Sequence, residues 1–249
     1  MEIVNKKIED LVGENLIFAS VLYYFGIKFY DYCDKTLKQV CEERQLDTNI
    51  VIKSLESVEK NDDNNNIQLV SYPVELIIEY LKHTHYIFIK QKLPFIARLL
   101  ETIDEKHTGS SNFVEDLKLV FPLFVQDFIE HIYEEEDTLF NYILSLSKTL
   151  HGKMHPSQIY YQMEKHSIQK YAMEHELHGD EMEGIRKITQ NYQIRESDEL
   201  PVRVLVSELK NFDKELTVHA NVENNVLFPK VMQLESDVKK WMADKIMFN

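Results

Sequence analysis

Glycine and proline are scarce in this chain, six of each in 249 residues. Sheet-rich folds need many Gly- and Pro-containing turns, so the scarcity argues for long helices joined by few loops. Cysteine is rarer still. Cys33 and Cys41 are too few for a disulfide framework, and they read as two reduced thiols in the cytoplasm. Positive charge is in deficit: the formal net charge is −14, and no run of Lys or Arg offsets it locally. That balance excludes a nucleic-acid footprint and disfavours anionic membrane surfaces. The opening MEIVNKKIEDLVGEN lacks the apolar core of a signal peptide, and no stretch is long and apolar enough to span a bilayer. The expectation is a cytoplasmic protein with no nucleic-acid and no membrane partner.

What is present is helical periodicity. Hydrophobic residues make up 44 %, enough for a core. Up to Lys60 the apolar residues recur at three- and four-residue steps in short segments, as in Leu16, Ala19, Leu22 and Tyr23, with Asp47 and Thr48 placed to cap the last helix. Residues 1–60 are therefore expected to form a small helical N-terminal domain. The polar NDDNNN opens a linker over 61–72. From Pro73 the pattern lengthens into four expected helices, 73–106, 112–149, 156–191 and 198–229, with a short amphipathic tail after Lys230. Short connections make such helices antiparallel neighbours, so 73–249 is expected to be an all-α, up-down-up-down four-helix bundle. Pro94 and Pro122 fall inside expected helices, where each should kink or break the backbone.

Two stretches of the bundle share one template. DFIEHIYEEEDTLF supplies His131, Glu135, Leu139 and Phe140; ELTVHANVENNVLF supplies His219, Glu223, Leu227 and Phe228. Residues four apart share a helix face, so each imidazole and carboxylate can converge on one ion, or the carboxylate can bridge two. A single such pair would be read as solvated. These two sit in apolar stripes, Phe121, Phe124, Phe128 before the first and Leu205, Leu209, Phe212, Leu216 before the second. A carboxylate in an apolar core costs several kcal/mol unless paired or metal-bound. The third helix aligns His175 with Ile168, Tyr171, Met182 and Ile185. The first offers His83 or His85, of which His85 has the better stripe, with Ile78, Leu81, Phe88 and Ile96. The acidic run Glu134–Asp137 is expected to be a solvated face, with Glu135 the exception. The candidate ligands are thus His85, His131, Glu135, His175, His219 and Glu223. Mixed nitrogen and oxygen donors suit iron or manganese, with zinc explaining the paired layout less well. Six ligands cannot fill two octahedral irons, so a centre of two Fe ions would be completed by oxo or hydroxo bridges and open positions.

The run of HIYEEEDTLF, MEHELHG and HANVENNVLFP is similar to the hemerythrin-like bundle of the repair-of-iron-centres (ScdA/YtfE-type) proteins, and HYIFIKQKLP echoes their first helix, again favouring His85. The N-terminal VLYYFGIKFYDYCDKTLKQVCEERQLD resembles that family's small first domain, so the likeness covers nearly the whole chain. It implies a di-iron centre that handles NO or O2 and serves damaged iron–sulfur proteins, with a homodimer compatible with it. One departure matters. Where the family carries two adjacent cysteines, this chain has Gly26-Ile27-Lys28-Phe29-Tyr30-Asp31. Thiol chemistry is therefore not carried over, and a di-iron O2 or NO sensor or carrier becomes the alternative.

Overall fold

A computed structural model describes residues 3–60, 69–103, 113–178 and 180–247, and side chains for all of these but 59, 60, 156, 174–178 and 245–247. The expected linker lies largely outside the described residues. Among those described the secondary structure is helical, apart from an isolated β-bridge between Lys7 and Thr36. Contacts divide the chain into two compact units: Met1–Asn66 with Lys90–Pro122 and Gly184–Asp213, and Ile67–Ile89 with Leu123–Glu183 and Lys214–Asn249. The first unit thus joins residues 1–66 with later segments of the chain. Aromatic packing is one reason, since the Tyr23 and Phe95 rings sit 4.6 Å apart within the first unit.

In the first unit four short helices, α1 (Ile8–Glu14), α2 (Phe18–Tyr24), α3 (Leu37–Arg44) and α4 (Thr48–Lys60), bury Ile8, Leu22, Phe29, Leu37 and Leu55. Their ends are set locally. Thr36 and Gln39 form a reciprocal capping box on α3, and Asp47 accepts the Asn49 amide at 2.9 Å to start α4. Gly26, at φ +75°, turns the chain out of α2, and a Cβ there would lie 2.8 Å from the Arg44 guanidinium. Later in the unit, Asp213 accepts from both Arg186 and Tyr192 at 2.8 Å, tying down a turn in which Gln190, Asn191 and Tyr192 all have positive φ.

The second unit holds the bundle's ligand-bearing segments. These come from α5 (Val74–Ile87), the end of α7 (Phe113–Glu134) with α8 (Asn141–Leu150), α9 (Pro156–Lys165) and α10 (Ile168–His178), and the end of α12 (Leu200–Val222) with α13 (Phe228–Met247). Glu75 pairs with Ser147 and His85 with Glu136, so numbers rise along α5 as they fall along its partner: the two run antiparallel. Ile78, Leu81, Leu139, Phe140, Leu227, Phe228 and Val231 form the buried core between them.

The helices differ from the sequence reading in three ways. The third is not one helix over 156–191: it breaks at His166–Ser167, and α11 (Glu183–Ile188) is separate. The fourth does not end at 229 but continues as α13 to Met247, because Pro229 is its second residue, where a missing N–H costs nothing. Nor do the prolines break their helices. Pro122 lies inside α7, and Pro94 is the second residue of α6 (Leu93–Thr102). What precedes Pro94 and Pro229 in each case is a π-helical turn, Phe88–Lys92 and Glu223–Leu227. A third π turn, Glu135–Phe140, follows α7. In a π turn the amide reaches back five residues instead of four, as Phe228 N–H does to the Glu223 carbonyl.

Candidate metal centre

All three π turns border the predicted ligands: one begins three residues after His85, and the others begin at Glu135 and at Glu223. Such turns are rare and concentrate at functional sites. Two of them run from the template glutamate to its Leu-Phe pair, Glu135–Phe140 and Glu223–Leu227. Phe140 stacks on the His85 ring at 5.8 Å and 6° between planes, while Phe88 meets His219 edge-on at 5.7 Å. The aromatic residues of the motif thus wall the site and hold its imidazoles.

His85, Glu135, His219 and Glu223 come together in the interior, each at most 6 % exposed, with one ligand atom from each lying within 4.8 Å of all the others. The Nε2 atoms of His85 and His219 are 3.1 Å apart, His85 Nε2 is 3.4 Å from Glu135 Oε2, and His219 Nε2 is 3.2 Å from Glu223 Oε1. An octahedral ion with bonds of about 2.1 Å holds adjacent ligands about 3 Å apart and opposite ones about 4.2 Å apart. The donor set has the spacing of one coordination shell.

Electrostatics points the same way. Burial, with the neighbouring His219, His131 and Lys82 charges, pushes His85 down to about 3, so its imidazole is neutral and offers a lone pair. Burial and the Glu223 charge push the Glu135 carboxyl up, against the pull of His131 and His219. Two like charges enclosed together are relieved by protons or by cations. Nitrogen and carboxylate donors in a dry cluster fit a first-row ion such as iron.

His131 stands at the edge of this cluster, its side chain 36 % exposed, with Nε2 3.3 Å from Glu135 Oε1. Burial would lower its pKa, but the Glu135 hydrogen bond and the Glu135, Glu181 and Glu223 charges outweigh it and raise it to about 9. The two oxygens of Glu135 therefore face two imidazoles from different helices. His175 lies on α10, but its side chain is outside the described residues. His83, the alternative to His85, is exposed.

Two carboxylates escaped the sequence reading. Glu136 is not part of a solvated face: its Oε1 lies 2.8 Å from His85 Nδ1. Glu135 and Glu136 thereby address opposite nitrogens of one ring. Helical periodicity assigns consecutive residues to different faces, so at most one of the two was placed at the site, whereas they reach His85 from its two sides. Glu181, in the turn after α10, lines a cavity of about 40 Å³ with Phe128, His131, Glu135, Leu216 and Glu223. It fell within the expected third helix but off the apolar stripe of Met182 and Ile185, so no pattern singled it out.

Among the described residues no helix is long and apolar enough to cross a membrane. The Hemerythrin HHE cation binding domain family matches residues 76–231, more than half of the chain. The chain is also similar to the iron-sulfur cluster repair protein ScdA of Staphylococcus haemolyticus, at 21 % identity over 90 % of this chain and 96 % of the relative. ScdA of Staphylococcus epidermidis matches at 20 % identity over the same shares. The iron-sulfur cluster repair protein YtfE of Yersinia pseudotuberculosis matches at 22 % identity, over 82 % of this chain and 88 % of the relative.

Proposed function

The chain belongs to the hemerythrin HHE cation-binding domain family, and on that premise we propose that it is a non-haem di-iron protein acting in repair of iron–sulfur clusters damaged by oxidative or nitrosative stress. The repair role rests on the names of the ScdA and YtfE relatives, which align along most of their length. The di-iron reading rests on one observation: Glu135 turns one oxygen to His85 and the other to His131, the disposition of a carboxylate that spans two ions. His85, His219 and Glu223 would hold one iron, and His131 the other, with His175 as its expected partner. A bound iron pair supplies redox change, open positions for NO or O2, and an iron that can be donated.

The chain's own residues prepare the site for that work. His85, kept neutral by burial, has one ring nitrogen with a free lone pair, and the Phe140 and Phe88 rings pack against the imidazoles. The 40 Å³ cavity beside Glu135 and Glu223 has room for a diatomic molecule, and Glu181 places a carboxyl on its wall. A damaged cluster enzyme mixed with protein loaded with labelled iron should regain activity in proportion to the label it acquires. Loss of label to a chelator without any reactivation would sink the repair role.

A gas-binding sensor or carrier is the second reading, and the thiols favour it. Burial and the Glu9 charge raise Cys33, whose Sγ donates to the Phe29 carbonyl at 3.5 Å; burial raises Cys41, which is fully enclosed. Neither is a ready thiolate. Reversible NO binding with no net turnover would select this reading.

A further inference from the structure

We propose that Glu136 is the positioning residue of the centre: it holds the proton of His85 on Nδ1 and so turns the Nε2 lone pair toward the metal. The inference rests on the metal-binding reading above and adds a residue to it. A neutral imidazole carries one proton, and its two nitrogens compete for it. His85 Nε2 sits 3.1 Å from His219 Nε2 and 3.4 Å from Glu135 Oε2. A proton there would occupy the position that an ion needs. Glu136 Oε1, 2.8 Å from Nδ1, gives a proton on that nitrogen an acceptor in the carboxyl oxygen.

The backbone is shaped for this grip. Consecutive helical side chains diverge by about 100°, so Glu135 and Glu136 approach the His85 ring from different sides. The π turn Glu135–Phe140 begins at the ligand itself, and Glu136, its second residue, reaches the outer nitrogen of the same ring. Phe140, at the other end of the same turn, stacks on the His85 ring. One widened turn therefore supplies a carboxylate for the metal, a carboxylate for the ligand and an aromatic plane for the ring.

Outer carboxylates on ligand histidines raise their basicity, and losing one typically weakens metal binding about 10- to 100-fold. The test compares wild type, Glu136→Ala, Glu136→Gln and Glu134→Gln as full-length chains. Ferrous iron affinity is read by chelator competition, and the His85 tautomer by nitrogen-15 histidine spectra of the metal-free chain. Glu136→Ala should weaken iron about 10- to 100-fold and shift the His85 proton from Nδ1 toward Nε2. Glu136→Gln, which keeps the shape and a weaker acceptor, should fall between, and exposed Glu134 should be silent. Iron affinity within about two-fold of wild type in Glu136→Ala, with an unchanged tautomer, would overturn the role. Wild type that binds no iron would overturn the metal reading instead, and the tautomer spectra would still decide whether Glu136 governs His85.

Discussion

Replacing Glu135 with Gln should have opposite effects on the loaded and the metal-free protein. Ligand atoms of Glu135 and Glu223 lie within 4.8 Å of one another. Two full charges at that separation repel by about 3 kcal/mol at an effective dielectric of 20. Partial protonation relieves some of this, since Glu135 is pushed up by burial and by Glu223. Without metal, the substitution should therefore stabilise the chain by about 1 to 3 kcal/mol, raising the melting midpoint by about 2–4 °C for each kcal/mol. With metal the sign reverses. The amide removes one charge and one of the two oxygens that face His85 and His131, and a 100-fold loss of affinity corresponds to about 3 kcal/mol. Melting in the presence of a strong chelator, beside iron counted per chain, reads both arms. The pH dependence supplies a further check. Folded Glu135 keeps a proton that the unfolded chain, with its ordinary value of 4.5, has already released. The stability that Glu135 contributes to the metal-free wild type is thus fully present below that value and declines as pH rises through the folded one. Glu135→Gln should flatten the decline. A variant that keeps wild-type iron affinity, or that melts below wild type when metal-free, would refute the reasoning.

Other substitutions separate the site from its surroundings. His85→Ala should abolish tight iron binding while His83→Ala leaves iron content unchanged, since His85 is 1 % exposed and His83 lies on the surface. Cys33→Ser should leave metal content and single-turnover NO consumption intact, whereas Cys41→Ser, which places a hydroxyl in a fully buried position, should cost about 1–2 kcal/mol in denaturant unfolding. Loss of NO turnover with iron retained in Cys33→Ser would show that this thiol takes part after all. In the other unit, Asp213→Ala should cost about 2 kcal/mol by stripping Arg186 and Tyr192 of their shared acceptor, again read by denaturant. An unchanged midpoint would mean that the turn at 190–192 holds itself.

The site was legible where chemistry and periodicity agree. His131, Glu135, His219 and Glu223 stood out because polar residues occupied positions that a bundle fills with leucine, and the structure encloses Glu135, His219 and Glu223 while leaving His131 at the rim. His85 was separated from His83 by the quality of its apolar stripe and by the family likeness of HYIFIKQKLP. Glu136 was missed because a 3.6-residue period gives the site at most one of two consecutive residues, whereas Glu135 and Glu136 reach the two sides of one ring. The prolines carried a usable signal that the same period misread. Pro94 and Pro229 each follow a π turn as the second residue of the next helix, so Leu-Pro and Leu-Phe-Pro mark a widened turn rather than an end. The third helix was overextended because apolar spacing persisted across His166–Ser167 and into α11, with no Gly or Pro at the first break to announce it.

The central claim is that the cluster holds iron in pairs. Purified protein from cells grown with iron-57 and zinc both available should contain about two irons per chain, from six ligands divided between two ions. Its oxidised Mössbauer spectrum should show a spin-coupled pair, and replacing Glu135 should remove that coupling. Stoichiometric zinc without iron, or a single uncoupled iron that persists at full loading, would contradict the account.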